Sequence, residues 1–62
     1  MQKSHGEAVM RALVIDDSRP IRGIIAKIMR GLNFDTIEAG NGREGWEILS
    51  EQGPFDLSLI HI

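Results

Sequence analysis

The chain turns on Arg11-Ala12-Leu13-Val14-Ile15-Asp16-Asp17-Ser18, where four apolar residues run directly into two adjacent carboxylates. A short apolar run bounded by charge reads as a strand buried on both faces, as in a parallel sheet. Side chains alternate along a strand, so Ala12 and Val14 are expected on one face and Leu13 and Ile15 on the other. Asp16 and Asp17 then stand at the carboxyl end of that strand, the end at which open α/β sheets bind ligands. Two neighbouring carboxylates repel each other unless a cation lies between them, and hard divalent ions such as Mg²⁺ favour oxygen ligands of this kind. The plainer reading of the pair is two solvated loop acids ahead of a helix cap, a position that favours Asp in any case.

The segments on either side complete the pattern. Residues 1–10 are polar and aperiodic and read as a flexible tail; Met10 offers an alternative start, and His5 has no second ligand near it at metal-site spacing. After the acidic pair, Ser18 suits an N-cap and Pro20 the first helical turn. Ile21, Ile24, Ile25, Ile28, Met29 and Leu32 then recur at helical spacing, which predicts an amphipathic helix whose broad apolar face is core. Arg22, Lys27 and Arg30 fall between those positions, and Gly31 is placed to cap the end.

Phe34 to Ala39 is short, β-branched and partly alternating, as in a second strand, and Gly40-Asn41-Gly42 signals a turn. A second helix is expected from about Arg43 to Glu51, with Trp46, Ile48 and Leu49 on its apolar side and Glu44, Glu47 and Glu51 in solvent. Gly45 within it costs about 1 kcal/mol relative to Ala, tolerable where a helix must approach a sheet closely. Gly53-Pro54 stops that helix, and Phe55 to Ile62 reads as a third strand. Strands alternating with helices over short links call for an α/β fold with parallel strands and right-handed crossovers.

Composition narrows the function. At 62 residues the chain is one domain at most, organised as the tail 1–10 and a folded part 11–62. A chain of this size buries only about 60% of its unfolded surface, and small scaffolds lean on disulfides, a metal or a partner. There is no Cys, which excludes disulfides and thiolate metal sites. Seven basic against nine acidic residues give a net charge of −2, which does not suggest a nucleic-acid or anionic-membrane surface. No apolar stretch approaches a membrane span and no signal-peptide core is present, so a cytoplasmic setting is expected. The chain carries no nucleophile–base pair and no glycine-rich phosphate loop after the first strand, so it does not read as an enzyme.

Taken together, Leu13-Val14-Ile15-Asp16-Asp17-Ser18 with Arg22, Glu38-Ala39-Gly40-Asn41-Gly42-Arg43-Glu44-Gly45 before Trp46, and Phe55-Asp56-Leu57-Ser58-Leu59-Ile60 resemble the first half of a response-regulator receiver domain of the chemotaxis-regulator type. The resemblance covers Arg11 to about Ile60 and implies a truncated flavodoxin-like βαβαβ fold with a three-stranded sheet in the order 2-1-3. It implies that Asp16 and Asp17 are Mg²⁺-binding acids, with a sensor histidine kinase as the family's partner in a two-component phosphorelay. The phosphoacceptor Asp should directly follow Ile60, yet His61 stands there, and the family's later switching Thr or Ser and pocket Lys have no counterpart. Phosphoryl transfer needs a nucleophilic carboxylate, a metal and a cationic partner. Only the metal acids match, so no aspartyl phosphorylation is expected and any Mg²⁺ binding should be weak or absent.

His61 reads first as a terminal residue without a role, left by truncation. A second reading is a loss of the acceptor; a third groups it with Asp16 and Asp17, a donor set that suits Zn²⁺ better than Mg²⁺; a fourth is phosphorylation of His61 itself, for which nothing in the sequence positions a kinase. A third strand with an unpaired outer edge invites pairing with another chain, so a homodimer joined through third strands is expected. The alternative function is accordingly a self-associating βαβαβ structural module without signalling chemistry.

Overall fold

The computed structural model describes residues 9–61 and shows an α/β fold in which each strand is joined to the next through a helix. The elements run β1 (Arg11–Asp16), α1 (Arg19–Gly31), β2 (Asp35–Ala39), α2 (Gly42–Gln52) and β3 (Leu57–His61). All three strands are parallel and lie in the order β2-β1-β3, as expected for the start of a flavodoxin-like sheet. Most of the expected tail, including His5, lies outside the described residues, as does Ile62.

β1 is central because it alone is apolar enough to lose solvent on both faces. Ala12, Leu13 and Val14 have no accessible surface, and Ile15 has almost none. Its alternation builds two cores. Ala12 and Val14 pack with Met29 of α1, flanked by Ile25, Phe34 and Leu59. Leu13 and Ile15 pack with Ala39 beneath α2, flanked by Ile37, Ile48, Leu49 and Phe55. Burying a side chain the size of Leu or Val contributes about 1.5–3 kcal/mol, so this strand supplies a large share of what a small domain has.

The helix ends follow local chemistry. Ser18 caps α1 through its backbone, its carbonyl accepting from the Arg22 amide at 2.8 Å, while its side chain makes no capping bond. α1 continues through Gly31, and the left-handed residue that turns the chain is Asn33 (φ 72°), not the expected Gly31. Asn tolerates that conformation better than most residues. At α2, the Asn41 side chain accepts from the Glu44 amide at 2.9 Å, and the Glu44 carboxylate accepts from the Gly40 amide at 2.8 Å. The segment read as a turn is thus a reciprocal cap.

β3 begins at Leu57 rather than Phe55 because Asp56 is engaged elsewhere. Its carboxylate accepts from the Arg11 amide at 2.7 Å, and its own amide donates to the Arg11 carbonyl at 2.9 Å. The Arg11 guanidinium stacks 4.3 Å from the Phe55 ring centre and donates to the carbonyls of Gln52 and Pro54. One side chain therefore fastens the start of β1 to the whole α2–β3 link.

Two expectations about the core are corrected. Of the α1 residues expected in the core, only Met29 is buried and Ile25 half-buried, joined by Ala26, which has no accessible surface; Ile21, Ile24, Ile28 and Leu32 are exposed, Ile24 at 60%. α1 lies over β1 and β2, where Arg22 and Arg30 reach Glu38. Trp46, assigned to the apolar side of α2, is 68% exposed. Its neighbour Gly45 is the residue that meets the sheet, and a one-residue step turns Trp46 about 100° away from that contact.

The contact at Gly45 is close. A Cβ there would collide with Ile15 Cδ1 and lie 2.9 Å from its Cγ1, whereas a Cβ at Gly23 would meet nothing within 4 Å. Gly45→Ala should therefore destabilise on balance, since overpacking costs about 1–3 kcal/mol against about 1 kcal/mol of helix propensity gained. Gly23→Ala should stabilise by about 1 kcal/mol. Urea midpoints of the two variants are expected to move in opposite directions; a rise for both would show that Gly45 does not set the spacing between α2 and the sheet.

Candidate functional site

The carboxyl ends of β1 and β3 bring three potential donors together. Asp16 is the last residue of β1 and pairs in register with His61, the last of β3. Asp17 follows one residue beyond the pairing. One ligand atom from each of the three lies within 4.8 Å of the other two. Residues read from sequence as a metal-binding pair thus converge, and His61 joins them as the register requires.

Their surroundings differ. Asp16 is 2% exposed, whereas Asp17 and His61 face solvent. Burying a carboxylate is costly unless its oxygens find partners. Asp16 Oδ1 accepts from the Ser18 amide at 2.9 Å, and Oδ2 lies 3.7 Å from His61 Nδ1, a separation too long for a hydrogen bond. The Ser18 bond is an Asx-type turn that also starts α1. Asp56, the remaining acid of the β3 segment, sits at the other end of the strand, bound to Arg11, and takes no part.

The same end of the sheet is braced by a network that sequence reading missed. Arg22 Nη1 donates to the Asp16 carbonyl at 2.9 Å, and Arg22 Nε donates to Glu38 Oε1 at 3.3 Å. Arg30 donates to Glu38 Oε2 at 3.3 Å and to the Thr36 carbonyl at 3.0 Å. Two arginines of α1 therefore share one carboxylate of β2, and one of them also holds the backbone of Asp16. The signal lay in their spacing: positions eight apart on a helix fall on nearly one face, here the face toward β2.

In chemical terms, the group can hold a cation. Two carboxylates and an imidazole form a mixed oxygen and nitrogen set, open on the solvent side. Mg²⁺ favours oxygen all round in near-octahedral geometry, so this set fits it only through Asp16 and Asp17. Imidazole with carboxylates is a better match for borderline ions such as Zn²⁺. β3 ends on the imidazole of His61, and the Arg22 guanidinium is engaged by Glu38 and by the Asp16 carbonyl.

No family model matches the chain, and no curated protein or solved structure matches it. Among the described residues, no helix is long and apolar enough to cross a membrane.

Arg22 is the most informative residue of the brace, because its side chain is only 16% exposed. Arg22→Met keeps the apolar stem and removes both polar contacts, so a loss of about 1–3 kcal/mol is expected. Arg30→Met, at a more exposed site, should cost less. A double-mutant cycle of Arg22→Met with Glu38→Gln should show non-additivity; strict additivity would mean that the pair does not couple α1 to β2.

Proposed function

We propose that the chain corresponds to the amino-terminal half of a response-regulator receiver domain, the phosphoryl-receiving module of two-component signalling, with His61 in the phosphoacceptor position. The observation that carries this reading is the register of Asp16 against His61 beside Asp17, at the carboxyl end of a sheet ordered β2-β1-β3. In the receiver domains that the sequence resembles, the metal acids follow the first strand and the acceptor ends the third, at the carboxyl end of the sheet where open α/β folds bind ligands. The positions of Asp16 and Asp17 support this reading, and His61 occupies the position that the resemblance gives to the acceptor.

On this reading the chain is not an enzyme, and its role is inherited from cytoplasmic signal transduction, with a sensor histidine kinase as the partner of the parent type. Neither nucleic acid nor membrane enters the mechanism. Asp16 and Asp17 are the residues that would hold Mg²⁺, weakly, because the third donor is nitrogen. Titration with Mg²⁺ at millimolar concentration should shift the amide resonances of Asp16, Asp17 and Ser18, and Asp17→Asn should abolish those shifts. Incubation with Mg²⁺ and a small phosphodonor should add no phosphate by mass spectrometry. Unmoved amide resonances would remove Mg²⁺ from the reading, and a stable aspartyl adduct would overturn it.

A second reading, a self-associating βαβαβ module, is favoured by a separate observation. β3 is paired on one edge only among the described residues, and of its apolar side chains Leu57 and Ile60 are exposed, Ile60 at 57%. Exposed edges of this kind are templates for another strand. A two-fold pairing of third strands gives a sheet ordered 2-1-3-3′-1′-2′ with an antiparallel centre. Light scattering over a concentration series should then report twice the chain mass, with or without Mg²⁺. A folded monomer at micromolar concentration would exclude this module.

A further inference from the structure

We draw no further inference here: the strongest candidate, the cluster of Asp16, Asp17 and His61 where β1 and β3 end, belongs to the site already described, and its one buried carboxylate is already partnered by the Ser18 amide, so no second observation points to a ligand.

Discussion

One strand that is paired along both edges and covered on both faces sets the position of everything else. β1 meets β2 and β3 in parallel register, and its alternate side chains enter separate cores under α1 and α2. Only an unbroken apolar run can occupy that place, because any polar side chain there needs a partner inside the protein. The constraint extends to the acidic pair. Asp16 is the last residue still within the sheet and is buried; Asp17, one step further, is in solvent. Two chemically identical neighbours therefore occupy different dielectric surroundings, an outcome of where pairing stops rather than of any difference between them.

The covering of this sheet is lopsided. Each helix packs on β1 and β2, and neither packs appreciably on β3. On one face the bias has a visible cause: Arg22 and Arg30 draw α1 toward Glu38. The flank turned away carries the exposed Ile21, Ile28 and Leu32, and on β3 Leu57 and Ile60 are exposed as well. With extents of 36 × 25 × 13 Å, the domain is a slab with an apolar margin along one side. Large uncovered apolar surface is unusual on a stable monomer.

Much of this was legible in the sequence, and the reasons are specific. Ala12 to Ile15 could be nothing but a doubly buried strand, and the helix-alternating order then left parallel pairing as the economical solution. Spacing located α1 correctly but could not say how much of its apolar face would be used, since periodicity reports amphipathicity and not the width of the surface opposite. Trp46 failed for a related reason: hydrophobicity suggested core, while the closest approach to the sheet is made by Gly45, a residue with no side chain to signal it. The site was half legible. Asp16 and Asp17 stood out as a pair, whereas Arg22 and Arg30 had no assigned partner until β2 supplied Glu38. Such partnerships depend on which strands become neighbours, and no local pattern encodes that.

The order β2-β1-β3 also bears on how the chain comes into being. β1 is made first, yet both of its neighbours lie downstream, β2 beyond α1 and β3 beyond α2. During synthesis the most apolar segment therefore leaves the ribosome with neither edge paired, and its second edge stays open until Leu57 to His61 has emerged. Parallel strands pay loop-closure entropy before pairing rewards it, which slows their assembly. The residue run that anchors the finished sheet is thus the one exposed longest in the growing chain.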